Sequence, residues 1–273
     1  MRVGFIGLGI QGGPMARRIA AAGHPVTLWA RRPEALEAFR DTGAAFAGSP
    51  AELAAASDLV CLCVVSDADV RELVTRPDGV LAGLRPGGVL AVHSTVHPDT
   101  CIELAETVGA QGISLLDAPV SGGGPAAEAG TLLVMAGGEA AVVDRCRPVF
   151  DSYARLVVHL GAVGAGQVTK IINNLLFTAN LATAAGALRV GESLGLDPKG
   201  LGELISQGTA NSFALGRVVA SGGLDSIAKH ASGLLRKDVA LAADLAARAG
   251  AADGVVFTAA RNTLSVMDDL LGH

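Results

Sequence analysis

Two hydrophobic rhythms divide the chain. Through the first part, short apolar runs rich in Val, Leu and Ala alternate with amphipathic stretches, and glycine or proline separates them. Short runs of that kind predict buried strands of a parallel sheet, and the 3.6-residue periodicity between them predicts crossover helices. The pattern places strands at 2–6, 24–30, 44–47, 59–65, 89–93, 115–120, 130–138 and 156–160. Helices are expected from the glycines after the first strand and at 34–39, 50–56, 69–74 and 99–108. From Ala165 onward the alternation stops. Alanine-rich helical patterns follow at 167–194, 198–207, 213–220, 234–249 and 254–271, and Asp197-Pro198 supplies an N-cap with proline in the first helical position. The expected organisation is an α/β N-terminal domain over residues 1–162, followed by an all-α C-terminal domain over 163–273.

The first strand runs directly into Gly7-Leu8-Gly9-Ile10-Gln11-Gly12 and then a helix. In a strand, turn and helix of this kind, the first glycine permits the tight turn and the second lets a pyrophosphate approach the backbone. The third lets helix and strand pack closely, and the helix N-terminus favours the phosphate charge. The first domain is therefore expected to be a Rossmann domain, with all six residues touching a dinucleotide. At the end of the second strand stand Ala30-Arg31-Arg32, where an NAD-preferring fold would carry an acid. Two guanidiniums suit a 2′-phosphate, so Arg31 and Arg32 predict NADP(H) rather than NAD(H). Strand ends at Val65-Ser66 and Ser94-Thr95 fall at the carboxyl edge of the sheet, where parallel sheets place ligand contacts. Of the second pair, Thr95 is the better cofactor contact and Ser94 suits a cap or turn.

Two further stretches carry candidate chemistry. The turn Ser121-Gly122-Gly123-Gly124 leaves backbone amides uncovered beside a hydroxyl, which suits a carboxylate. Gly164-Ala-Gly166 opens a long helix on which Lys170 and Asn174 lie four residues apart, one turn along the same face. A cation and an amide at the start of a mostly apolar helix are costly to bury idle, so the pair is expected to act on a substrate.

Composition changes this picture only by exclusion. The chain has 273 residues, of which 50% are hydrophobic and 17% charged, and a net charge of −5. That is enough apolar material for two cores. Without a basic run, and with aromatics at 3%, a nucleic-acid surface is not expected. No long apolar window is free of charge and glycine, so no membrane span is expected. Cys61, Cys63, Cys101 and Cys146 read as inert core thiols of a reducing, cytoplasmic setting, and the scattered histidines give no metal-ligand spacing.

Four stretches together resemble the β-hydroxyacid dehydrogenases, the group of 3-hydroxyisobutyrate dehydrogenase, tartronate semialdehyde reductase and succinic semialdehyde (glyoxylate) reductases, with 6-phosphogluconate dehydrogenase more distant. They are Gly4 to Ala16, Asp117-Ala-Pro-Val-Ser-Gly-Gly123 with Gly130-Thr131, Gly164 through Lys170 to Asn174, and Lys237-Asp238-Val-Ala-Leu-Ala242. The resemblance implies Lys170 as the catalytic general acid/base and Asn174 as its substrate-orienting neighbour. It implies Ser121, Gly122 and Gly123 as the carboxylate anchor, and Thr95 and Lys237 as cofactor contacts. Ala30-Arg31-Arg32 stands where NADP-preferring members carry Asn-Arg-Thr or Asn-Arg-Ser. The implied partners are a small carboxylate substrate and further copies of the chain, as homodimer or homotetramer. Gln11 stands where Met is usual, and Phe213 lies in a helix that carries tryptophan in several members. Imine reductases and non-catalytic cofactor-binding relatives share the scaffold, but generally lack the lysine that this chain retains.

Overall fold

The computed structural model describes residues 1–251 and 253–272. By contacts it falls into two compact units, Met1–Lys170 and Ile171–His273.

The first unit opens with β1 (Val3–Ile6), α1 (Gly12–Ala21), β2 (Val26–Trp29), a 3-10 run over Pro33–Thr42 and β3 (Ala45–Phe46). It continues through α2 (Pro50–Ala55), β4 (Leu59–Leu62), α3 (Asp67–Thr75), α4 (Val80–Gly83), β5 (Val89–Val92), α5 (Pro98–Gly109) and β6 (Ser114–Asp117). These six strands are parallel, in the order β3-β2-β1-β4-β5-β6. Every residue of β1, β4 and β5 is buried, as expected of strands covered by helices on both faces. The strand order reverses between β1 and β4, and in open parallel sheets ligands bind at the carboxyl ends of such a switch point. There Cys63 N–H donates to the Ile6 carbonyl at 2.9 Å, so the turns after β1 and β4 leave the sheet side by side.

A smaller sheet completes the unit. It comprises β7 (Val120–Ser121), α6 (Gly123–Ala129), β8 (Leu132–Ala136), α7 (Ala140–Phe150) and β9 (Ala154–His159), with the strands in order β7-β8-β9. The apolar run 115–120, expected as one strand, is thus divided between two sheets. Pro119 sits at the division, where it has no N–H to give a ladder, and Ala118 N–H still donates to the Val92 carbonyl at 2.8 Å. The run 59–65 stays in the sheet only to Leu62. Helices α4, α6 and α7 are additional to those the pattern predicts; in α7, Pro148 lies inside the helix and weakens its helical signature.

The second unit is all helical. Beyond Lys170 it contains the remainder of α8 (Ala165–Ser193), then α9 (Pro198–Ile205), α10 (Phe213–Ser221), α11 (Asp225–Arg248) and α12 (Val255–Leu271). Ile171, Leu175, Leu215, Leu235, Phe257 and Met267 contribute to its core. Asp197 caps α9 as expected, accepting the Gly200 N–H at 2.7 Å. Helix α11 begins well before the expected residue 234. Ser226, Lys229, His230, Ser232 and Gly233 blur the apolar period there, yet Ile227 and Ala228 are buried. Helix α8 is long and apolar enough to cross a membrane by length and composition alone. Its buried residues Ile171, Leu175, Ala179, Leu181, Ala185 and Leu188 belong to the helical core, which accounts for that apolarity by packing.

Candidate active site

The glycine turn has the geometry its sequence predicts. Gly7 has φ +101°, and a side chain there would run into the Cys63 carbonyl. A Cβ on Gly12 would collide with the Gly7 carbonyl oxygen, so α1 can start this close to β1 only without one. Gly9 is different: a Cβ there would meet nothing within 4 Å. The space it leaves belongs to no protein atom, as a turn that admits a bound pyrophosphate requires. Gln11 is the N-cap of α1 but makes no side-chain capping bond. Ile10 is 87% exposed, and with Leu8 completes the turn. The residues here fit a dinucleotide phosphate.

Arg31 and Arg32 follow β2, and both are exposed. The sequence offered no acid beside them, but the fold brings two from α3. Arg31 Nη2 lies 3.1 Å from Asp69 Oδ1 and 3.0 Å from Glu72 Oε2. Asp69 is held below the ordinary carboxylate pKa, first by the Ser66 hydroxyl and then by Arg31. Ser66 also caps α3: its Oγ accepts the Asp69 N–H at 3.1 Å and donates to Asp69 Oδ2 at 2.6 Å. Val65, just before it, is 64% exposed.

At the end of β5 the two hydroxyls separate. Ser94 is buried, and its Oγ accepts the Val64 N–H at 2.8 Å. It ties the ends of β4 and β5 together, and Thr95 is left part-buried at the sheet edge. Further round the edge, β7 ends in Ser121, and Gly122, the N-cap of α6, has φ +129°. No side chain caps α6. The Ser121–Gly124 stretch, expected as a turn, is helical from Gly123 on. A Cβ on Gly124 would come within 2.9 Å of Ile10 Cγ2, so the glycine turn and the first turn of α6 adjoin. The sequence placed them more than a hundred residues apart.

The start of α8 is bonded to the end of β6 and to the loop after β5. Asp117, at the end of β6, is fully buried. Its Oδ1 accepts the Gly164 N–H and its Oδ2 the Gln167 N–H, each at 2.8 Å. Burial raises the Asp117 pKa, and these backbone N–H groups oppose the rise. A negative charge at this position also complements the helix N-terminus. Gly166 packs against the Met135 and Asp117 carbonyls, where a Cβ would clash. Lys170, part-buried, stands one turn further along. The sequence singled out Lys170 but gave no role to Asp117 or Gln167. Their partners lie 47 to 73 residues away, and local pattern is blind to that range.

In the helical unit, Asn174 on α8 donates from Nδ2 to Asp238 Oδ2 of α11 at 2.6 Å. The other carboxylate oxygen of Asp238 lies 3.3 Å from Lys237 Nζ. Asp238 is 4% exposed, so one buried acid joins the two residues of this unit proposed for the site. Among the described residues, no group of three His, Cys, Asp or Glu side chains could hold a metal ion.

A parallel sheet with a glycine turn at its switch point, followed by a helical unit, defines a dinucleotide-binding architecture. Residues 2–161 match the NAD-binding domain of 6-phosphogluconate dehydrogenase. Residues 164–272 match the NAD-binding domain of NADP-dependent 3-hydroxyisobutyrate dehydrogenase. A 3-hydroxyisobutyrate dehydrogenase of Pseudomonas aeruginosa is 39% identical over 213 residues, 78% of this chain and 72% of the relative. Mycobacterium tuberculosis 3-hydroxyisobutyrate dehydrogenase with L-serine superposes with TM-score 0.85 at 31% identity, covering 98% of this chain and 95% of that one. Psf3 in complex with NADP+ and 2-OPP gives TM-score 0.87 at 29% identity, covering 98% and 94%. The chain belongs to the β-hydroxyacid dehydrogenase family, the 3-hydroxyisobutyrate dehydrogenase group. It is an NAD(P)-linked oxidoreductase.

Proposed function

We infer that the protein transfers a hydride between NADP(H) and a small β-hydroxy acid or the matching semialdehyde or keto acid, with Lys170 as general acid/base. The observation that carries this reading is the anchoring of α8. Asp117 and Gln167 fix the first turn of that helix to the carboxyl edge of the sheet, and Lys170 follows within a turn. A lysine held there can take the hydroxyl proton as an alcohol carbon becomes a carbonyl, or return it in reduction. When bound, the nicotinamide supplies the hydride acceptor or donor. Ser121 with the Gly122 and Gly123 amides offers a carboxylate donors of the right kind. Asn174, oriented by Asp238, presents an amide to the substrate, and Thr95 and Lys237 are the remaining cofactor contacts in this reading. Relatives support the substrate class: one is named for 3-hydroxyisobutyrate and one was solved with L-serine. NADP+ in a third supports the reading of Arg31 and Arg32.

The test is Lys170→Ala, assayed against 3-hydroxyisobutyrate, L-serine, glyoxylate, succinic semialdehyde, tartronate semialdehyde and a cyclic imine. Loss of general acid–base help lowers kcat by roughly 10²–10⁴-fold. A variant within a few-fold of wild type overturns the role of Lys170. Wild-type turnover of the imine alone overturns the substrate class.

A further inference from the structure

Gln167 is fully buried in the first turn of α8. Its Nε2 donates to the Ser94 carbonyl at 2.8 Å, and its Oε1 accepts the Val96 N–H at 3.1 Å. The Ser94 carbonyl and the Val96 N–H belong to the two peptide groups that join Thr95 to the chain. One side chain therefore clamps both. The same residue is held from behind, its own N–H bonded to Asp117 Oδ2, and Lys170 follows three residues on along the helix.

Backbone polar groups at the end of a strand are ordinarily met by water or by a local turn. Here they are met by a side chain from an element 71 to 73 residues away. The loop is fixed from other sides too. Ser94 Oγ accepts from Val64 N–H, and Asp67 Oδ1 accepts from the His97 N–H at 2.8 Å and the Thr100 hydroxyl at 2.6 Å. The bonds of Gln167 tie the Thr95 backbone to the helix that carries Lys170.

We propose that Gln167 is a positioning residue that locks Thr95 and Lys170 into one frame, so that the cofactor-facing hydroxyl and the proton-transferring amine keep a fixed spacing. This rests on the roles assigned to Thr95 and Lys170 above. Displacing a catalytic group by about 1 Å costs on the order of 10²-fold in rate. A clamp that bonds both sides of one residue removes the freedom to make that displacement. A role confined to stability makes a different prediction: once folded, a variant would turn over like wild type.

Gln167→Glu separates the two. With its carboxyl protonated, Glu supplies the one donor and the one acceptor that the clamp uses. Ionised, it turns a bare oxygen on the Ser94 carbonyl and the clamp opens. Burial raises the pKa of such a carboxyl, so the transition moves toward neutral pH. The measurement is kcat relative to wild type, on the panel member that wild type uses, from about pH 6 to about pH 9, with folding followed by circular dichroism. Gln167→Met, which cannot clamp at any pH, is measured alongside. The expected result is a Gln167→Glu rate near wild type in acid that falls roughly 10–10²-fold as pH rises. The Met variant should be low throughout, with both proteins folded at the assay temperature. Folded variants that keep kcat within about twofold at every pH overturn the proposal.

If neither variant folds, amide exchange on wild type decides. Val96 and the first turn of α8 should open together, with one denaturant dependence, and independent fast exchange at Val96 overturns the clamp. Lys170→Ala keeps the two levels distinct. If it retains turnover, or if wild type turns over nothing on the panel, the site reading fails and takes this proposal with it. If Lys170→Ala is inactive and the Gln167 variants are unaffected, only the clamp fails.

Discussion

Asn174 Nδ2 meets Asp238 Oδ2 at 2.6 Å across 64 residues of sequence. An ionised carboxylate can only accept, so this bond fixes which way the Asn174 amide faces. Its oxygen is turned to the Asn173 Nδ2, which donates to it at 3.0 Å. Among the described residues the second oxygen of Asp238 has no hydrogen-bond partner, and it stands in ion-pair range of Lys237. A buried acid with so few neutralising contacts is a poor device for stability alone. Its consequence is to hold an amide and an ammonium in a set relation.

Asp238→Ala is therefore expected to destabilise the protein by roughly 1–3 kcal/mol, because the Asn174 amide loses a charge-assisted partner. Urea unfolding of the variant and wild type measures this. The KM for a carboxylate substrate should rise as well, because nothing then selects the Asn174 rotamer. An unchanged urea midpoint together with an unchanged KM would show that the bond orients nothing.

Arg31 carries the second prediction. In this structure it pairs with Asp69 and Glu72, and Glu72 also pairs with Arg76 at 3.1 Å. A 2′-phosphate arriving at Arg31 meets two carboxylates beside the guanidinium. Arg31→Ala with Arg32→Ala should weaken NADPH binding by about 10-fold or more and leave NADH within a few-fold. If Arg31 takes the 2′-phosphate, Glu72→Gln removes a like charge from beside it and should tighten NADPH alone, by a few-fold. Fluorescence titration at fixed salt reads both, since exposed charges are screened. Equal losses for the two cofactors in the double variant would assign the arginines to something other than the 2′-phosphate.

These two relationships also mark how far the sequence could be read. The Gly7–Gly12 turn was legible because φ at Gly7 and the approach of α1 to β1 are local constraints, although the Cys63 carbonyl that also excludes a side chain at Gly7 comes from beyond another strand. Lys170 stood out as a candidate because a cation at the start of an apolar helix breaks the local pattern. The partners were not. Asp117 reaches Gly164 across 47 residues, Gln167 reaches Ser94 across 73, and Asp238 reaches Asn174 across 64. Hydrophobic periodicity reports which face is buried, and says nothing about which buried polar group finds which. The acids beside Arg31 escaped notice for the same reason, since α3 follows a different strand. Where local cues were mixed, boundaries slipped: Pro119 divided an apolar run between two sheets, and polar residues hid the first turns of α11.

His93 bears on stability rather than turnover. The ring is 3% exposed, directly after β5, stacked on Phe5 with centroids 6.3 Å apart. Its Nδ1 donates to the Ala118 carbonyl at 2.7 Å, and the Tyr153 hydroxyl lies 3.3 Å from its Nε2. A neutral imidazole thus has both nitrogens met, with the tyrosine donating. Burial pulls the pKa down to about 4, against the Ala118 carbonyl, which raises it. In the unfolded chain an ordinary histidine titrates near 6.5. Between those values the unfolded state binds the extra proton. The contribution of His93 is therefore complete above about pH 6.5 and is lost as pH falls toward about 4. Asp117 works in the other direction: its raised pKa lets the folded state take up a proton before the unfolded state does as pH falls. Raw acid sensitivity mixes the two. His93→Gln isolates the histidine, because glutamine can still donate to Ala118 and accept from Tyr153 but does not titrate. Between about pH 7.5 and about pH 5, wild type should lose roughly 2 kcal/mol more unfolding free energy than the variant. Parallel curves for the two proteins would mean that the buried ring is protonated as readily folded as unfolded, and that the hydrogen bonds, not burial, govern it.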